Sequence, residues 1–270
     1  MRIKRQLQRT AKKLGIRVFK ASALPRGFDI SADIDSLIES PVQTVFDVGA
    51  NTGQTAQHFH DSFPQAAIYA FEPVKDTFET LARNMRSLSR VSCLNHALGS
   101  FEREEIIYLQ LSSGWNSLSR NIDQGLGSEL VKVETIDNFC KKSGIETIDV
   151  LKIDTEGHDL EVIKGADETL KNGRTSFIFC EVGFSRDAPK LIFFCDFLDY
   201  LDSKGFQLFS LYDTRTLFYI PHSEPRYSYC NALFVNTQLV ITRMGPAYER
   251  RVALRREERR DLLKDSNAPE

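Results

Sequence analysis

Short apolar runs alternate with longer stretches of helical spacing along most of the chain, and the two periods divide it into strands and helices. Residues 44–48, 67–71, 91–98, 148–153 and 176–182 are apolar runs of strand length, the pattern of strands buried on both faces. Between them, residues 31–39, 52–63, 74–87, 135–142, 160–171 and 191–203 carry apolar residues at helical intervals. Phe78, Leu81 and Met85 mark one inner face, and Leu160, Ile163 and Leu170 another. Pro41, Pro64 and Gly205 close three of these helices, and Thr135 introduces a fourth. Residues 104–111 read as an additional strand. Residues 112–128, rich in Ser, Gly and Asn, read as a long loop in which Trp115, Asn116 and Ser117 stand ready to close over a ligand. Residues 206–212 and 231–235 flank a segment rich in Pro, Tyr and His, which predicts an antiparallel hairpin at the edge of a mainly parallel sheet. The whole predicts an α/β fold around one core.

The first strand runs into Gly49-Ala-Asn51-Thr-Gly53, and the second ends at Glu72. A glycine turn after a buried strand lets a ligand approach the backbone, and the next helix aims its N-terminus there. An acid at the following strand tip is where a ribose diol finds its acceptor. A dinucleotide turn needs a glycine at its middle position to clear a pyrophosphate; Asn51 stands there, and Asp47 before it would repel phosphate. S-adenosylmethionine carries a sulfonium, an amine and a ribose diol but no phosphate, so this turn suits it better. Asp47 would approach the methionine amine, directly or through water, and Glu72 the ribose hydroxyls. Gly49, Asn51 and Gly53 would supply the close backbone, Asp154 a further contact, and Asn95 and Ala97 the surroundings of the adenine. His96 points to the other face and reads as packing. Asp47 capping its own turn and Glu72 as a plain helix-start acid are the structural alternatives.

Lys152, Asp154, Glu156, His158 and Asp159 cluster at the tip of the fourth strand, where ligands of open α/β sheets bind. Methyl transfer to an alcohol needs help in removing the hydroxyl proton. His158 is the first candidate base, with Asp154 and Glu156 as alternatives. Asp154, Glu156 and Glu181 are also candidate ligands for a hard divalent cation such as Mg2+, although acids at a strand tip more often cap the helix that follows. Lys152 shares the strand face of Asp154 and reads as its structural ion-pair partner. Tyr212, His222, Tyr227 and Tyr229 form an aromatic region that could stack a sugar or simply fill the core or rim.

These residues fall in ordered blocks that resemble the FkbM-type S-adenosylmethionine-dependent methyltransferases. The blocks are Val45-Phe-Asp-Val-Gly-Ala-Asn-Thr-Gly-Gln54, Phe71-Glu-Pro73, Asn95-His-Ala-Leu-Gly99, Thr135-Ile-Asp137, Leu151-Lys-Ile-Asp-Thr-Glu-Gly-His-Asp-Leu-Glu-Val-Ile-Lys-Gly-Ala166 and Cys180-Glu-Val182. The resemblance implies a Rossmann-like class I methyltransferase fold and methylation of a hydroxyl, often on a sugar or natural product. Residues 31–240 are then expected to form the methyltransferase domain. Residues 1–30 would be a basic helical extension and 241–270 a charged helix with a frayed tail. A nicotinamide-dependent oxidoreductase and a catalytically silent scaffold are the rival functions.

Composition narrows the partners. With 41% hydrophobic and 27% charged residues and a net charge of −2, the chain has no global basic field for nucleic acid. Residues 1–20 are the exception: they hold eight bases and no acid, with Ile3, Leu7, Leu14 and Val18 at helical spacing. That segment could lie peripherally on an anionic membrane surface or pack as a solvated helix. It lacks the apolar core of a secretory signal. The five cysteines show no metal-ligand spacing and read as reduced residues of a cytoplasmic protein. A small-molecule or glycan acceptor is the expected partner.

Overall fold

A computed structural model describes residues 25–109, 127–186, 190–215 and 229–245, with Ala11 and Gly15 before them. Most of the basic segment 1–20, together with Trp115, Asn116, Ser117, His222, Tyr227 and residues 246–270, lies outside the described residues. The strands are β1 (Thr44–Val48), β2 (Ala67–Phe71), β3 (Val91–Leu94), β4 (Ala97–Leu98), β5 (Arg103–Leu109), β6 (Gly127–Glu134), β7 (Ile148–Ile153), β8 (Thr175–Gly183), β9 (Phe206–Arg215) and β10 (Tyr229–Asn236). Seven of them form one sheet in the order β3-β2-β1-β7-β8-β10-β9. β10 is antiparallel to both β8 and β9, and the other pairings are parallel. This is the expected Rossmann-like class I methyltransferase fold with its C-terminal antiparallel hairpin. β1 lies between β2 and β7, so the chain order reverses there and opens a crevice at the carboxyl ends of both strands.

Side-chain alternation along the strands builds two cores, one on each face. Val45, Val150, Phe177 and Leu233 face helix Gln54–Ser62 and its neighbours, packing with Ile34, Phe59 and Leu81. Phe46, Leu151, Ile178 and Phe234 face the other way, against Phe139, Ile163 and Phe197. Helical residues 237–245 continue the packed unit past residue 240, because Val240 and Met244 are buried in the first core. At the opposite edge from the crevice, Asp149 accepts from the backbone N–H of Gln43 (2.5 Å) and Thr44 (3.0 Å). Its other oxygen pairs with Arg243 at 2.5 Å, and Arg243 also donates to Ser176 Oγ at 2.8 Å.

The structure departs from the expected elements in three places. The run at 91–98 is two strands: β3 joins the main sheet, while β4 joins a small sheet of order β4-β6-β5. The turn between them brings the Asn95 side chain back onto the Glu72 and Pro73 carbonyls. β6 occupies ground expected to be loop at its start, and buries Val131 and Val133 on one side. The helix expected over 160–171 breaks into Asp159–Lys164 and Asp167–Lys171. The cause is packing: a Cβ on Gly165 would lie 2.0 Å from the Gly99 carbonyl oxygen. Asp137 then caps the second piece, accepting from the N–H of Glu168 (2.9 Å) and Thr169 (2.8 Å). Gly165→Ala is therefore expected to lower stability in urea unfolding by about 1–3 kcal/mol; an unchanged midpoint would contradict this packing account.

Candidate functional site

The glycine turn is pinned from three sides. Gly49 has φ +76°, and a Cβ there would lie 1.9 Å from the Asp154 carbonyl oxygen, so the position admits only glycine. The N–H groups of Gly49 and Ala50 both donate to the Phe71 carbonyl, at 3.0 and 2.9 Å. Asn51 follows in the left-handed region at φ +49°, and Gly53 at φ +100° caps helix Gln54–Ser62. Glu72 joins the turn to the tip of β2: Oε2 accepts from the Asn51 N–H and Oε1 from the Val74 N–H, both at 3.0 Å. Burial pushes its pKa up to about 7, against the opposing pull of those two N–H groups and of Lys152. Asn95 supports Glu72 through the carbonyls of residues 72 and 73, while Ala97 lies in the core of the small sheet.

Beneath the turn sits a buried ion pair. Asp47 is 0% exposed, and Lys152 Nζ stands 2.9 Å from its Oδ1. The ammonium donates to the Gly49 carbonyl at 2.9 Å, and Asp154 is farther off at 3.9 Å. Among the described residues this ion pair is what compensates the buried Asp47 carboxylate. The expected partnership of Lys152 with Asp154 is thus mainly one with Asp47. The sequence led us to expect Asp47 to approach a cofactor amine directly or through water; its carboxylate lies buried beneath the turn, against Lys152. Burial disfavours the charged lysine, but Asp47, Asp154 and Asp159 outweigh it and raise its pKa.

Sheet register arranges the remaining acids. Asp47, Lys152 and Phe179 are register neighbours across β1, β7 and β8, so they form one row on one face. Two residues on along each chain, towards the carboxyl edge, come Gly49, Asp154 and Glu181. After Asp154 the chain turns through Glu156 at φ +55° and Gly157 at φ +96°. Asp159, 3% exposed, holds that turn by accepting from the N–H of Thr155 (3.1 Å) and Gly157 (3.2 Å). Burial and then Asp154 raise three carboxyls: Glu181 to about 8, Glu156 to about 7 and Asp159 to about 6. Among the described residues no group of three or more His, Cys, Asp or Glu is placed to hold a metal ion.

His158 faces elsewhere. Its Nε2 lies 3.3 Å from Arg103 Nη2, which makes that nitrogen the acceptor of a neutral ring. Burial and then Arg103 lower its pKa, and the other charges acting on it are Glu161 and Glu105 rather than the acid row. The structure therefore brings Asp154, Glu156 and Glu181 together and leaves His158 beside the small sheet. Sequence reasoning did not anticipate the Asp47–Lys152 and His158–Arg103 contacts; both cross between elements whose register no local pattern discloses.

A sequence profile described as Methyltransferase FkbM domain matches residues 47–208, which contain the turn, Glu72 and the acid row. The chain belongs to the FkbM methyltransferase family. It is 29% identical over 170 residues to the 2-O-methyltransferase NoeI of Sinorhizobium fredii, a match covering 56% of this chain and 68% of that protein. It is 30% identical over 158 residues to the hexuronic acid methyltransferase AglP of Haloferax volcanii, covering 55% of this chain and 60% of that one. Against Methyltransferase sdnD of Sordaria araneosa the identity is 29% over 168 residues, covering 50% and 64%. The chain thus spans about two thirds of the length of these relatives. In fold, a SAM-dependent methyltransferase of Aquifex aeolicus is similar at a TM-score of 0.41 and 14% identity, over 81% of this chain and 100% of that one.

S-adenosylmethionine is the methyl donor of this FkbM methyltransferase. The residues fit it: Glu72, at the tip of β2, has acceptor capacity beyond its two backbone bonds, as a ribose diol requires. The raised acids also set a pH dependence. They hold protons in the folded chain that the unfolded chain has released, so stability falls as pH rises from the ordinary carboxylate range to about 8. Glu181→Gln is expected to melt above the wild type at about pH 8.5, with the gain shrinking towards about pH 5; a pH-independent difference in differential scanning calorimetry would contradict the repulsion.

Proposed function

We propose that this FkbM methyltransferase is an O-methyltransferase acting on a hydroxyl of a sugar or glycan. The observation that carries the cofactor half is Glu72, which is tied to the glycine turn through the Asn51 N–H and keeps free acceptor capacity at the tip of β2. The acceptor half is supported by relatives named for 2-O-methylation and for methylation of a hexuronic acid. When bound, S-adenosylmethionine supplies an electrophilic methyl carbon and keeps the electron pair of the broken carbon–sulfur bond.

The chain's own residues then have distinct tasks. Glu72 accepts the ribose hydroxyls, and the Gly49–Gly53 backbone gives close approach. Glu156 receives the proton of the acceptor hydroxyl: its carboxyl is poised at about 7, and its left-handed backbone at φ +55° is held by the Asp159-capped turn. His158 is a weaker candidate for that role because its Nε2 already faces Arg103.

Two measurements test these assignments. Glu72→Ala is expected to weaken S-adenosylmethionine binding about tenfold or more in calorimetry, the loss of a charge-assisted pair of bonds; unchanged affinity would remove the ribose role. Glu156→Gln is expected to cut turnover by a factor of about 10² or more while the cofactor still binds. His158→Ala should then stay active, and the reverse pattern would return the base to His158.

A further inference from the structure

On the face of the sheet that carries the acid row, a cavity of about 420 Å³ opens between helix Gln54–Ser62, the segment entering helix Ile30–Asp35, and β8 to β10. Its volume is that of a small-molecule site (about 300–1,000 Å³). Phe179 forms part of its floor, in the row of Asp47 and Lys152, and Glu181 stands two residues on along the same face. Asn231, on a wall, is the register partner of Glu181. Gln54, on another wall, directly follows the last glycine of the cofactor turn. The cavity therefore borders the donor turn through Gln54, and Asn231 ties its wall to the strand position of Glu181.

Its lining has a definite chemistry. Phe28, Phe179 and Tyr212 offer aromatic surface, and Phe28 is 64% exposed. Asn231 and Gln54 add amide donors and acceptors, and the His58 ring is held by Ser31 Oγ at 3.0 Å. Aromatic faces beside amides suit a ring with apolar C–H faces and hydroxyl edges. The charged groups lining the cavity among the described residues are Asp29 and Asp213, with no lysine or arginine. Arg26 acts on Tyr212 but stacks over Phe209, 4.8 Å from its ring centre, and does not line the cavity.

We propose that this cavity is the acceptor site and that it selects an uncharged pyranose over a uronate. The proposal rests on the O-methyltransferase assignment above. A uronate would bring a third carboxylate beside Asp29 and Asp213, a like-charge contact that costs binding. Specificity then lies with Phe28, which stacks on the ring, and Asn231, which fixes the hydroxyl edge next to Glu181.

The test uses saturation-transfer NMR and calorimetry on the full chain with S-adenosylhomocysteine bound. The probes are methyl glycosides of glucose, galactose and fucose, and methyl glucuronide. At least one neutral glycoside is expected to bind about tenfold or more tighter than the glucuronide. Phe28→Ala and Asn231→Ala, at an exposed and a half-buried position, should each weaken that glycoside about fivefold or more and leave S-adenosylhomocysteine affinity unchanged. Equal or tighter binding of the glucuronide, no binding by any neutral probe, or full affinity in both variants overturns the proposal. If S-adenosylhomocysteine itself fails to bind the wild type, the cofactor assignment falls and takes the acceptor role with it; glycoside failure with S-adenosylhomocysteine bound overturns the cavity alone.

Discussion

A single buried ammonium organises the cofactor edge of this protein. Lys152 Nζ lies between the Asp47 carboxylate and the Gly49 carbonyl, each at 2.9 Å, with Asp154 beyond. Burying such a charge is costly unless it is paired, and removing one partner leaves the other uncompensated in the core. The pair therefore holds β1 and β7 in register at the point where the chain order reverses. By fixing the Gly49 carbonyl it also orients the first residue of the turn whose N–H groups dock on Phe71. Glu72 completes the arrangement from the far side through Asn51. The turn is held by charge below and by hydrogen bonds above, before any ligand arrives.

Above that frame the protein gathers more acids than it neutralises. Glu72, Glu156, Glu181 and Asp159 all hold protons more tightly than ordinary carboxyls, chiefly because burial disfavours their ionised forms. Groups that hold protons this tightly carry less negative charge at neutral pH than ordinary carboxyls, and a cation bound beside them would favour their ionised forms. In the proposed mechanism Glu156, poised at about 7, receives the hydroxyl proton. Burying these acids lowers stability as pH rises.

The parts legible in the sequence were those governed by local pattern. β1, β2 and β7 run over the same residues as the largely apolar stretches that announced them, even though Asp47, Asp149 and Lys152 lie buried within them. The C-terminal hairpin followed from the Pro-, Tyr- and His-rich composition between its two apolar runs. What stayed hidden depended on distant backbone. Gly165 reads as a tolerated helix glycine until the Gly99 carbonyl is seen against it. β6 has the alternating Val131 and Val133 of a half-buried strand, but the Ser- and Gly-rich stretch before it masked the start. Asp47 and Glu72 pointed to a cofactor edge, while the contact of Asp47 with Lys152 is set by register across β1 and β7, which no local pattern discloses.

The central claim is methyl transfer to a sugar hydroxyl. Its most direct measurement is to incubate the full-length protein with S-adenosylmethionine carrying a 13C-labelled methyl group and a set of neutral glycosides, and to follow the label by NMR. A new methyl ether signal correlated to a sugar ring proton, absent with Glu156→Gln, is the predicted result. Label appearing only as an N-methyl group or a methyl ester, or an unchanged ether yield with Glu156→Gln, would contradict the account.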